Sequence, residues 1–212
     1  MGTPGPFSFY ESAAMGIEIA SFILFAAAMV GTPGPANMLI LAASASFGFW
    51  RALPFIAGVV LGMQFVIWPM GLGLMALTQR FPLGFDTLKW VSVAYIFWLA
   101  YKILGARLYA GVVQAPPSFL SGLAVHPLNP KAWAMTIAAF TSFVSPGTAP
   151  LKATLAIALG FFAVQSVLQP LWGYGGQFIA ARLAGRPAEK TLMWGLAGLT
   201  LASVLFVLVK GD

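Results

Sequence analysis

Two short stretches hold the residues whose types and spacing could do chemistry. In Gly31-Thr32-Pro33-Gly34-Pro35-Ala36-Asn37, two prolines remove amide donors and crowd the carbonyls before them, so no continuous helix accommodates the run. A chain that breaks here and winds again after Pro35 aims the amides of Asn37 and Met38 off the start of a new helix. An anionic group binds favourably at such a positive end. Further along, Asn129-Pro130-Lys131, preceded by His126-Pro127, places a cation at a second break. The chemistry on offer is recognition of a small anionic or carboxylate-bearing solute. It is not bond-making, since a nucleophile with its base, or paired acids, are missing from both stretches. Cys is absent and His126 is the only histidine, which excludes disulfides and a Cys/His metal site, and no cofactor is expected.

The elements that carry these breaks must lie in lipid. With 60% of 212 residues hydrophobic, 8% charged and a mean hydropathy of +0.90, the chain has too little polar surface to cover a water-soluble globule. No charge interrupts Glu18 to Arg51, Arg51 to Arg80, Lys152 to Arg182 or Lys190 to Lys210, and each gap meets the roughly 18 to 20 residues that a crossing helix needs. The pattern predicts an all-α integral membrane protein of the cell membrane, multi-pass, with about six transmembrane helices. These run over Gly16 to Phe47, Trp50 to Thr78, Asp86 to Gly105, Ser118 to Val144, Pro150 to Ala181 and Thr191 to Lys210. The third spans only if Lys89 and Lys102 snorkel to opposite interfaces, so five spans is the alternative.

Pro116-Pro117 divides the chain into two halves of three helices, residues 16–105 and 118–210, behind an amino-terminal extension over 1–15. Three is odd, so the halves would be inverted repeats, and the first helix of each is the broken one. Arg51, Lys102, Arg107, Arg182, Arg186 and Lys190 fall on one side, against Arg80, Lys89, Lys152 and Lys210 on the other. The positive-inside rule then puts both termini outside the cytoplasm. The basic residues are scattered singly, with no stripe that could follow phosphates, so nucleic acid is not a partner. The lipid bilayer and a small-molecule substrate are, and a homo-oligomer is compatible with the sequence. Glu11 and Glu18 replace the basic start of a secretory signal, so the first span is expected to remain in place, and Met15 is an alternative start.

A break at membrane depth leaves backbone groups unsatisfied and is tolerated only beside protein or a water-filled cavity. Broken segments in corresponding positions of two halves point to a transport site at the repeat interface. Thr32, Pro33, Gly34, Pro35, Asn37, Asn129, Pro130 and Lys131 are therefore the candidate substrate-binding residues, against a plain packing kink. For Lys131 two readings stand side by side, a ligand contact and a clamp on the carbonyls freed by the first break. Gln64 and Gln169, with Gln165, are polar residues at depth in the second and fifth helices; they line the same path or hydrogen-bond a neighbouring helix. His126 relays protons or serves structure.

At these residues the sequence resembles the LysE/RhtB family of amino-acid exporters. The shared pattern is Thr32-Pro33-Gly34-Pro35-Ala36-Asn37, then Phe47-Gly48 with Arg51, Leu88-Lys89-Trp90 with Ala94-Tyr95 and Trp98-Leu99, and Leu128-Asn129-Pro130-Lys131. Ser118-Phe119 through Pro146, with Trp172-Gly173, look closest to the branch associated with cysteine and O-acetylserine export. The resemblance implies proton-driven export of amino acids or similar metabolites through inverted three-helix repeats. The chain departs from it in the fifth helix, where members often carry an aspartate and this sequence reads Gln165-Ser166-Val167-Leu168-Gln169-Pro170. All five acids, Glu11, Glu18, Asp86, Glu189 and Asp212, fall at termini, interfaces or loops. Lys131 and His126 are thus the proton-coupling candidates. The competing function is a passive small-solute pore or a non-transporting membrane scaffold.

Overall fold

The computed structural model describes residues 16–74, 94, 116–183, 185–188, 190–192, 194–195 and 198. Within them the chain is helical throughout: α1 (Ile19–Gly31), α2 (Pro35–Phe47), α3 (Phe49–Gly62), α4 (Gln64–Pro69), α5 (Phe119–Val125), α6 (Pro130–Phe143) and α7 (Pro150–Leu183). A π turn over Met70–Leu74 continues α4, just after Pro69 has withheld an amide donor. The expected third helix, the sixth helix beyond a few residues, and the 1–15 extension lie outside the described residues.

The first expected helix is two. α1 and α2 bend by 53° across Thr32, Pro33 and Gly34, which have no helical place. α1 buries Phe22, Ala26 and Val30, one residue per turn, and leaves Leu24 73% exposed, as suits a helix with one face to lipid. α2 is the opposite case: Pro35 through Ala45 are all buried, with α7 on one side and α3 on another. A helix hydrophobic all round belongs inside the protein. At its head Gly34 is buried as well, while Gly31, Thr32 and Pro33 of the break are exposed among the described residues.

Gly48, at φ 83°, turns the chain from α2 into the second span, which begins at Phe49, one residue before the expected Trp50. That span runs to Gly73, 25 residues at a mean hydropathy of 1.8, and among the described residues α7 is the other helix long and apolar enough to cross by itself. α7 has 34 residues, about 51 Å of helix, well beyond the ~30 Å hydrocarbon core. Its outward residues Leu159, Val167, Leu171 and Phe178 are exposed. The fourth expected helix is also two pieces, because residues 126–129 leave the helix between α5 and α6.

α7 runs parallel to α1 and α2. Phe22 meets Phe161 edge-on at 5.2 Å, and farther along the N–H of Phe49 donates to Gln177 Oε1 at 2.7 Å. α6 runs antiparallel to α1, with Glu18 N–H on Phe143 O at 3.0 Å at one end and Lys131 against Thr32 at the other. Two apolar clusters result. One gathers around α2 and α3, the other around α1, α6 and the first half of α7. The polar break residues lie between them.

Candidate functional site

Each break is capped by an asparagine. After Gly31 the carbonyls at the end of α1 have no following turn to bond, and Asn37 reaches back to them: its Nδ2 donates to Val30 O at 2.6 Å and to Thr32 O at 2.9 Å. Thr32 adds its own closure, Oγ1 donating to Met29 O at 2.9 Å. Pro35 opens α2 at the position where a proline costs no bond. The first bond of the new helix runs from Met38 N–H to Gly34 O at 2.9 Å, so the N–H groups of Ala36 and Asn37 stand ahead of it. At the second break, Asn129 is the N-cap of α6, Oδ1 accepting from Lys131 N–H at 3.1 Å, with Pro130 again at the first helical position.

Lys131 joins the two breaks across 99 residues of sequence. Its Nζ donates to Thr32 Oγ1 at 2.8 Å and to Thr32 O at 3.3 Å. The cation thus meets the negative end of α1, an arrangement the helix dipole favours. Gly34 makes room for it: a β-carbon there would stand 3.1 Å from Nζ and 3.2 Å from Cδ of Lys131. Space and not backbone favours glycine here: the Lys131 side chain would have to give by a few tenths of an ångström, while the Gly34 backbone is extended at φ −171° and open to any residue.

Between the breaks lies a cavity of about 280 Å³, its open mouth included. Its polar lining is Asn37, His126, Asn129, Lys131 and Gln169; Gly34, Met29, Val30, Ala36 and Met135 complete the wall. Within it the space free to a water-sized molecule is about 20 Å³, room for about one water. Below it, Gln169 Nε2 contacts His126 Nε2 at 3.2 Å and donates to Gln165 Oε1 at 3.3 Å. Among the described residues the only carboxyl side chain is that of Glu18, exposed at the foot of α1. The cavity wall is therefore built of helix starts, amides, one imidazole and one ammonium group.

Of the residues singled out from sequence, Gly34, Asn37, His126, Asn129, Lys131 and Gln169 come together here. Thr32 touches the site through Lys131, while Pro33, Pro35 and Pro130 shape its backbone. Gln64 stands apart from the cavity wall: Nε2 donates to Ala158 O at 3.2 Å, joining α4 to α7, and Oε1 accepts from Trp68 Nε1 at 3.2 Å within α4. Sequence reasoning missed the apolar wall, since Met29, Val30 and Met135 look like any other membrane residue. It also missed Trp133, whose Nε1 donates to Pro127 O at 2.9 Å and steadies the second break.

A family model described as LysE type translocator matches residues 14–211. The chain is similar to the cysteine/O-acetylserine efflux protein of Klebsiella pneumoniae subsp. pneumoniae, 28% identical over 198 residues that cover 91% of this chain and 97% of that one. It is also similar to the protein of the same description from Escherichia coli strain K12, 30% identical over 146 residues that cover 68% of this chain and 75% of the other. No solved structure matches.

Proposed function

Because the chain belongs to the LysE type translocator family, whose members move solutes and are not enzymes, we propose that it exports amino acids or related small metabolites from the cytoplasm. It is a multi-pass protein of the cell membrane, and its relatives bear the description cysteine/O-acetylserine efflux protein. Cysteine-sized zwitterions are accordingly the first substrates to try. The observation that carries the reading is the meeting of both helix breaks at one small cavity, lined by Ala36 and Asn37 from the first turn of α2 and by Lys131. A substrate carboxylate placed there would take hydrogen bonds from Ala36 and Asn37 N–H and draw Lys131 from Thr32.

The six-helix organisation as inverted repeats, residues 16–105 and 118–210 with an extension over 1–15, is part of the proposal. It is supported by the parallel run of the first span and α7, as first and fifth of six alternating spans would run. Export is read as coupled to protons, with Lys131 and His126 as the groups within reach of the substrate. The test is uptake of labelled L-cysteine, kept reduced, into inverted vesicles with and without an imposed proton gradient. A coupled exporter accumulates it above equilibrium only with the gradient. Equilibration alone, with no response to the gradient, would leave a passive pore, and no uptake at all would leave a scaffold.

A further inference from the structure

Beneath the cavity three polar side chains carry atoms that no group among the described residues satisfies. Gln165 is 0%, Gln169 1% and His126 3% exposed, yet among the described residues Gln165 Nε2, Gln169 Oε1 and His126 Nδ1 have no hydrogen-bond partner. Such a group in a membrane interior is costly, because neither lipid nor bulk water can reach it. The two glutamines are one turn apart on the buried face of α7, where apolar residues would satisfy packing at no polar cost. They are also linked, Gln169 Nε2 donating to Gln165 Oε1 while contacting the His126 ring, so each free atom is held in a fixed place and not by a mobile chain.

His126 and Gln169 line the cavity that Lys131 and the start of α2 also face. Resting on the exporter reading, we propose that Gln165, Gln169 and His126 form a side-chain subsite that selects amino acids with an uncharged hydrogen-bonding side chain, such as a thiol, hydroxyl, ester or amide. The amides present both donating and accepting atoms, which an apolar side chain would leave unpaired and a hydrogen-bonding one fills. A basic side chain finds no carboxylate among the described residues around it. Gln165, which does not itself line the cavity, acts by holding Gln169 and by offering Nε2 to the deeper end of the solute.

The experiment compares initial uptake of labelled L-cysteine, L-2-aminobutyrate and L-lysine by the full chain in inverted vesicles, at equal limiting concentrations. Cysteine and 2-aminobutyrate differ by a thiol in place of a methyl. The wild-type protein is expected to prefer cysteine by at least ~10-fold and to carry lysine hardly at all. In Gln165→Met, close in size and without the amide, the preference should fall to within about twofold of unity while 2-aminobutyrate transport persists. Should that variant fail to reach the membrane, Gln169→Met reads the same ratio. An unchanged ratio in the variants, even at lower rates, assigns these side chains to structure alone and overturns the proposal. Equal uptake of cysteine and 2-aminobutyrate by the wild type, or brisk uptake of lysine, overturns it while leaving the exporter reading intact. Wild-type vesicles that take up none of the three defeat both.

Discussion

The two breaks use the same residue types and solve opposite halves of the same problem. At the second, the asparagine precedes its proline, and Asn129 turns its oxygen forward to cap the start of α6. At the first, the asparagine follows its proline, and Asn37 turns its nitrogen backward to the carbonyls that end α1. The second break is therefore closed on its amide side by its own chain, while the first is closed on its carbonyl side and receives Lys131 there as well. What remains without a partner among the described residues is the amide side of the first break. Order along the chain, and not composition, leaves one break with open amides and makes the other the source of the cation beside it.

Substitutions that break this division should differ in size. Lys131→Gln removes the only cation among the described residues of the cavity wall, and cysteine export is expected to fall about 10- to 100-fold, the worth of a hydrogen bond to a charged group. The measurement is vesicle uptake at matched membrane abundance. Lys131→Arg should not restore the rate, because a planar guanidinium crowds the space that Gly34 leaves. Full export by Lys131→Gln would reduce the lysine to a clamp.

Asn37→Ala takes the donor from two carbonyls at once and should cost about 1 to 3 kcal/mol, read as a lower thermal midpoint in detergent. Asn129→Ala loses a single cap and should cost ~1 kcal/mol. The comparison breaks if the second variant is the less stable of the two. Smaller again is Trp133→Phe, which keeps the ring but drops the bond to Pro127 O, for about 0.5 to 1.5 kcal/mol. Least of all for transport is Gln64→Leu: its partners are Ala158 O and Trp68, so stability shifts by roughly 1 kcal/mol and export stays at the wild-type rate. An export defect there at normal abundance would extend the site along the second span.

Both breaks were legible in the sequence because proline acts locally. Pro33, Pro35 and Pro130 forbid a continuous helix whatever surrounds them. The alternation of apolar runs and single charges likewise announced a helical membrane protein. What could not be read was partnership. Nothing near Lys131 says that Thr32, on another helix, will accept from its ammonium. Gln64 and Gln169 look alike as polar residues at depth, yet one faces Trp68 and the other the cavity, a difference of helix rotation that depends on neighbours. Gln177, on the Phe49 N–H, gave no sign at all, because a glutamine near a helix end is ordinary.

The fastening of α1 to α6 carries one more consequence. At its foot the helix is pinned by the Ile17–Val144 bridge, by Glu18 N–H on Phe143 O and by Ser145 N–H on Gly16 O at 2.8 Å; at its head it is pinned by Lys131 on Thr32. Phe25 and Phe143, centroids 5.2 Å apart, fill the gap behind the lower pins. Two antiparallel rods riveted at both ends behave as one strut, and neither can slide past the other by a turn without shearing a rivet. The lower rivets are backbone to backbone and indifferent to what the cavity holds. The upper one is a single ammonium group; on the proposed export reading a substrate carboxylate draws it away, and occupancy of the cavity and release of the strut's upper end are then the same event.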